Sequence, residues 1–298
     1  MKIGIGSGSF FGYGGDYVAA MKYLKELGYD AIDFQALDDQ GGHNKLFDQP
    51  QDVFEQWLLD VKKAADEIGL ELYQAHGPWQ YPPQDDTAEK REARFELFCR
   101  SMRGAALMGI KNWIIHPLMP FGCWENPDPE EFHRINLEFF TRLVKVAEEC
   151  GVVINFENMP FPALDLARVT DILAFVKEIN SPNMKVCLDT GHCLVCKEDI
   201  AEAVKLIGKE YLATVHVHDN RCKGQDEHFL PMFGAKDWRD YSHADMFVNF
   251  AAALEEIGYE GVFSLETSAK GKEMPQAIRH RYQTALAMLA KWLAKKPE

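Results

Sequence analysis

His76, His116, Glu157, Asp189, His216 and Glu266 share one kind of position in this sequence. Each closes a short apolar run or stands within its last residues: ELYQAH (71–76), NWIIH (112–116), VVINFE (152–157), KVCLD (185–189), ATVHVHD (213–219) and GVFSLE (261–266). Imidazole and carboxylate are the groups that ligate divalent cations and move protons near neutrality. Two carboxylates with two more groups of this kind make an oxygen-rich site that suits Mn²⁺, Mg²⁺ or Co²⁺ and admits Zn²⁺. Any one of them alone reads as a cap or a solvated loop residue. Six at equivalent places read as a site, because unpaired charge crowded at one rim is costly and coordination offsets that cost.

The elements that must position these groups alternate along the chain. Two more apolar runs, KIGIG (2–6) and AIDFQ (31–35), precede the six, giving eight strands of the length expected for buried parallel sheet. Helical spacing follows each of them, at Tyr17–Leu27, Val53–Ile68, Glu89–Met108, Glu130–Cys150, Val169–Ile179, Asp199–Ile207, Ala244–Ile257 and Pro275–Leu293. In the second helix Phe54, Trp57, Leu58, Val61, Ala64, Ala65 and Ile68 form one apolar stripe. Gly28, Gly69, Gly109, Gly151, Gly208 and Gly258 stand where helices should stop. Eight strand–helix units predict an α/β fold, a single-domain (β/α)8 TIM barrel over residues 1–298. A doubly wound open sheet is the alternative. In the barrel every strand's C-terminal end opens on one face, so ligand types far apart in sequence converge there.

Composition narrows the partners. The 298 residues are 47% hydrophobic and 26% charged, with a net charge of −14. Such a surface repels phosphate backbones, so no nucleic acid is expected. The N-terminus MKIGIGSGSFFGYGG is too broken for a signal peptide, and no run is long enough to span a membrane. Seven scattered cysteines suggest a reducing, cytoplasmic setting. Cys193 and Cys196 form a lone C-x-x-C, read as packed thiols, and the glycine-rich start lacks both a phosphate-loop Lys and a dinucleotide fingerprint. Trp113 reads as core, and His43, His133, His243 and His280 as residues without a metal.

The strings HGPW (76–79), IIHP (114–117), NFEN (155–158), CLDTGH (187–192), HVHDN (216–220), DEH (226–228) and SLET (264–267) occur in one order, each beside an expected strand. Together they resemble the xylose-isomerase-like superfamily of barrels, which includes ketose 3-epimerases, inosose dehydratases and the endonuclease IV type. The resemblance covers nearly the whole chain. It implies one divalent metal on Glu157, Asp189, His216 (the first His of HVHD) and Glu266. It also implies Glu157 and Glu266 as the acid–base pair, with His192 and Arg221 on the substrate oxygens. The reaction expected is proton abstraction beside the carbonyl of a ketose, polyol or sugar derivative, through a metal-stabilised enediolate. Dehydration or elimination on a ketosugar or inosose would use the same metal and base.

The endonuclease IV type is the rival from another class. It uses nine ligands for three zinc ions, and His76, His116, His192, Asp226 and His228 would complete that set here. Against it stand the acidic charge and strand-end loops rich in aromatics and prolines, among them Trp79, Tyr81, Phe121, Trp124 and Phe161. Trp79 and Trp124 are expected on the substrate, because aromatic walls with few polar groups suit a sugar-sized ligand. The segment Arg221–Tyr241 departs from the compact turn common in the superfamily and is expected to cover the site. A binding protein without catalysis would be expected to lack one of the two glutamates. Barrels of this type often dimerise or tetramerise, so a homo-oligomer is allowed for, although no stripe of residues demands it.

Overall fold

The computed structural model describes residues 1–39, 43–234, 242–267 and 275–295. Strands and helices alternate through them as β1 (Lys2–Gly6), α1 (Tyr17–Leu27), β2 (Ala31–Phe34), α2 (Gln51–Ile68), β3 (Glu71–His76), α3 (Ala88–Leu107), β4 (Asn112–Ile115) and α4 (Pro129–Cys150). They continue as β5 (Val153–Glu157), α5 (Val169–Ile179), β6 (Met184–Asp189), α6 (Thr190–Val195), α7 (Ile200–Tyr211), β7 (Leu212–His216), α8 (Ser242–Glu256), β8 (Val262–Leu265) and α9 (Gln276–Leu293). The strands pair in parallel in the order β7-β6-β5-β4-β3-β2-β1-β8. A bridge from Val217 to Leu265 brings the end of β7 against β8 and nearly closes the sheet. This is the expected (β/α)8 barrel.

Local chemistry explains the boundaries. Asp16, Thr87, Asp128 and Asp199 accept backbone N–H groups at the starts of α1, α3, α4 and α7, satisfying donors that have no partner inside the helix. Gly28 and Gly69 end α1 and α2 in the left-handed conformation, which costs glycine little. The α2 stripe buries Phe54, Leu58, Val61, Ala64 and Ala65, while Trp57 and Ile68 lie at its half-buried edges. Cys193 and Cys196 are free, buried thiols, and Trp113 is core, its indole N–H donating to Ser101.

Two departures from the sequence expectation bear on the site. Residues 213–219 were expected as one strand, but β7 ends at His216; beyond it only the Val217 bridge and an Asp219–Phe229 bridge persist. A short helix, α6, follows β6 at once, because Asp189 turns its side chain onto the His192 N–H (2.6 Å) and caps it. The sheet's register also slips at two places among the described strands: between Ile32 and Asp33 against β3, and between Val186 and Cys187 against β7. A one-residue slip moves a side chain to the other face of a strand. The second slip sets His216 level with Asp189 rather than one place out of phase.

Candidate metal centre and substrate pocket

At the C-terminal mouth of the barrel, one ligand atom from each of Glu157, Asp189, His216 and Glu266 lies within 4.8 Å of the others. Glu157 is the hub. Its Oε1 is 2.9 Å from His216 Nδ1, and its Oε2 accepts from His116 Nε2 at 3.0 Å and stands 3.6 Å from His76 Nε2. Glu266 Oε2 approaches the same His216 nitrogen at 3.2 Å yet forms no hydrogen bond there. This donor set fits a cation: buried carboxylates and an imidazole within reach of one another, with a buried carboxylate oxygen left without a donor.

The two glutamates sit in different surroundings. Burial pushes Glu157 up, but the charges of His216 and His116 outweigh it and hold the carboxyl well below its ordinary range. At Glu266 burial prevails over His216 and His228 and pushes the carboxyl up. Paired carboxyls separated in this way are the usual arrangement of a base and an acid.

Around this focus three histidines are locked by their Nδ1–H groups. His76 donates to the Gly77 carbonyl, His192 to Asn158 and His228 to Glu266, each at 2.7 Å. An imidazole held by one nitrogen presents the other in a fixed direction, as metal- and substrate-binding histidines do. His192 Nε2 and His228 Nε2 both face Asp226, at 3.4 and 2.7 Å. His76, His116 and Glu157 form a second possible cation group, and Asp189, His192 and His218 a third.

The motif strings have structural reasons. In LDTGH, Asp189 faces the site and caps α6, while Thr190 Oγ donates to the His218 carbonyl and accepts from its N–H (2.7 and 3.0 Å). Gly191 passes so close beneath His218 that a Cβ would lie 2.0 Å from the ring. In NFEN, Asn158 clasps the end of β6, accepting from Asp189 N (2.8 Å) and donating to Asp189 O (3.0 Å). In HGPW, a side chain at Gly77 would meet the Trp113 ring at 2.3 Å.

Above the focus opens a cavity of about 680 Å³. Trp79, Tyr81, Trp124 and Phe161 line it, and Gln35, Asp38, Asp226 and Thr267 supply polar groups. No Lys or Arg lies among its described lining residues.

A family model described as the xylose isomerase-like TIM barrel matches residues 21–292. The chain belongs to this family. Among curated relatives, the D-psicose 3-epimerase of Ruminiclostridium cellulolyticum is 30% identical over 257 residues, spanning 84% of this chain and 78% of that one. A crystal structure of D-psicose 3-epimerase in the presence of D-fructose superposes with a TM-score of 0.75 at 17% identity, covering 99% of both chains. The 3-keto-D-glucoside 4-epimerase of E. coli superposes with a TM-score of 0.72 at 18% identity, covering 97% of this chain and 99% of that one.

In this xylose isomerase-like barrel, Glu157, Asp189, His216, Glu266, His76, His116, His192, Asp226 and His228 all lie at the mouth. Trp79 and Trp124 line the cavity, Trp124 with 69% of its surface exposed. Arg221 does not join them. Its guanidinium pairs with Glu227 and stacks over Phe229 at 4.6 Å, and it is absent from the cavity lining. An acid six residues on and a neighbouring ring engage it within its own loop. That loop supplies Gly224, Gln225, Asp226 and His228 to the cavity wall, while 235–241 fall outside the described residues. His133, His243 and His280 pair with Glu178, Asp219 and Tyr23, away from the focus, and His43 is exposed.

Two participants escaped the sequence reading. His218 Nε2 sits 2.9 Å from Asp189 Oδ2, its ring stacked on His228 at 4.1 Å. The HVH spacing could have found it, since alternate strand residues share a face. Asp33 of β2 bonds His216 Nε2 at 2.8 Å, and nothing local in the sequence marks it.

Among the described residues no helix is long and apolar enough to cross a membrane.

Proposed function

We propose that the protein is a divalent-metal-dependent sugar epimerase or isomerase that moves a proton next to the carbonyl of a ketose, polyol or sugar derivative. One observation carries this reading. The Glu157–Asp189–His216–Glu266 focus opens into an aromatic-walled cavity whose described lining has no Lys or Arg. Phosphodiester substrates call for several phosphate contacts from basic groups. A neutral polyol asks instead for aromatic faces and a few hydrogen-bonding groups. The epimerase relatives support the same class.

Glu157, Asp189, His216 and Glu266 would hold the ion, and Mn²⁺, Mg²⁺ or Co²⁺ suits the oxygen-rich set. When bound, it would acidify the C–H beside the carbonyl by drawing charge onto the substrate oxygens. The protein's own groups do the rest. Glu157, kept ionised by its imidazole neighbours, removes the proton. Glu266, pushed towards its neutral form by burial, returns one from just past the end of β8. Asp189 and His216 anchor, while His192, Trp79 and Trp124 bind and orient the sugar. Buried free thiols fit a reducing, cytoplasmic setting.

The deciding experiment incubates the Mn²⁺-loaded protein in D₂O with D-fructose, D-psicose and a 3-keto-glucoside, followed by proton NMR. Loss of the signal beside the carbonyl, with growth of the epimer, is expected. Formation of an unsaturated product would instead identify dehydration by the same base. A protein that binds metal yet exchanges no proton in any of these would refute the reading.

One geometric feature favours a second reading with several ions. His76 Nε2, His116 Nε2 and Glu157 Oε2 stand 3.0–3.6 Å apart, spacings suited to the edges of one tetrahedral coordination shell. Three zinc ions per chain and cleavage of an abasic DNA strand would move the assignment to the endonuclease type.

A further inference from the structure

Asp33 is a carboxylate inside a barrel, 1% exposed, where an unpaired charge is costly. Among the described residues its Oδ1 makes no hydrogen bond, and Oδ2 meets His216 Nε2 at 2.8 Å. His216 is wholly buried, and its opposite nitrogen, Nδ1, faces Glu157 at 2.9 Å and Glu266 at 3.2 Å. The imidazole is thus a rod between a carboxylate behind and two carboxylates in front. The pair joins β2 to β7, 183 residues apart in the chain.

The backbone is arranged around this pair. The two register slips found among the described strands fall beside it. One lies immediately before Asp33 against β3, and the other within the β6–β7 ladder that carries His216. Such irregularities re-aim side chains and gather near functional sites. Without the second slip, Val215 rather than His216 would stand beside Asp189. A buried His needs some partner for its N–H, but a backbone carbonyl would serve; here the partner is a buried carboxylate, and the ladder is shifted as well.

We propose that Asp33 is a positioning residue for the metal centre, acting through His216: it takes the Nε2–H and so holds Nδ1 towards Glu157 and Glu266. This rests on the metal-dependent reading above. Metal-bound histidines commonly donate their second N–H to a carboxylate, and losing that partner typically weakens metal affinity 10- to 100-fold. Asp33 lies outside the candidate cation groups and the cavity lining.

The test uses the full chain stripped with chelator and titrated with Mn²⁺, followed by the EPR signal of the free ion. Visible spectra of the Co²⁺-loaded protein report ligand geometry. Asp33→Asn keeps the shape and removes the charge; Asp33→Ser serves if the first variant does not fold. The expected result is a Mn²⁺ Kd raised roughly tenfold or more with shifted Co²⁺ bands. In a His216→Asn background the same substitution should have no further effect on Kd, because the path through His216 is gone. Wild-type Kd and unshifted Co²⁺ bands in Asp33→Asn would overturn the proposal, leaving Asp33 as a partner that merely satisfies a buried His. If the wild type itself binds no metal, the functional reading falls first, and that outcome is visible before any variant is made.

Discussion

His76 and His116 face each other Nε2 to Nε2 across 3.3 Å, at the ends of β3 and β4. Since His76 commits its Nδ1–H to Gly77, only its Nε2 is left to meet the pair of His116 and Glu157. Burial disfavours a charged ring at His76, but the hydrogen bond to Glu157 and the charges of Asp38, Glu157 and Glu266 push its pKa up to about 9. His228 is pushed to about 10 by Asp226 against the same penalty. In the metal-free protein both rings hold protons that the unfolded chain releases above about pH 6.5. Their contribution is complete below that pH and disappears as pH rises through about 9 to 10. The chelator-treated protein should therefore lose melting temperature between pH 6.5 and 10. Saturating Mn²⁺ should weaken or remove the trend, because an ion on Glu157, Asp189 and Glu266 takes up carboxylate charge that helps hold these protons. A flat chelated profile would contradict the assignment.

Glu157→Gln and Glu266→Gln keep size and remove the charge that abstracts or returns a proton. Each should lower kcat by about 10²- to 10⁴-fold, the usual contribution of a general base or acid. Proton–deuterium exchange at the carbon beside the carbonyl separates the two. A variant that still exchanges without epimerising has kept its abstracting base and lost the residue that reprotonates the other face. Full activity in both variants would end the two-carboxylate mechanism.

The eight strands and the six ligand types at their ends were legible because a parallel barrel sends all C-terminal strand ends to one face. His218 was passed over because only the first His of HVHD was taken as a ligand, although an expected strand to 219 puts both on one face; β7 in fact stops at His216. Asp33 was hidden because its partner is on the far side of a closing barrel. Arg221 came to the site only through the motif resemblance, which does not show the partner it finds within its own loop, Glu227. Motif strings reveal residue types; they do not reveal which pairs satisfy each other within a loop.

Gly191 should tolerate no side chain. A Cβ would stand 2.0 Å from Cε1 and 2.3 Å from Nδ1 of His218, which is fully buried and fixed by Asp189 and Thr190. Gly191→Ala must displace that ring, at a cost of roughly 1–3 kcal/mol for overpacking. A lowered melting temperature is expected together with weaker metal binding, since His218 and Asp189 move as one. Wild-type stability and metal affinity would show that the ring has room to yield.

Trp124 gives the sharpest separation of binding from stability. It is 69% exposed and meets Phe161 edge-on at 6.4 Å, on the cavity wall above the carboxylate focus. Being mostly in water, it contributes little to folding, so Trp124→Ala should leave the melting temperature within about a degree or two, as surface changes usually do. If its face carries the sugar ring, the loss acts on ground and transition states alike, and KM should rise several-fold with kcat nearly unchanged. A fall in kcat at constant KM would mean instead that the indole orders the reacting end of the substrate. No change in either constant would remove Trp124 from the site and leave Trp79, whose ring meets His116 edge-on at 5.7 Å, as the aromatic contact to test next.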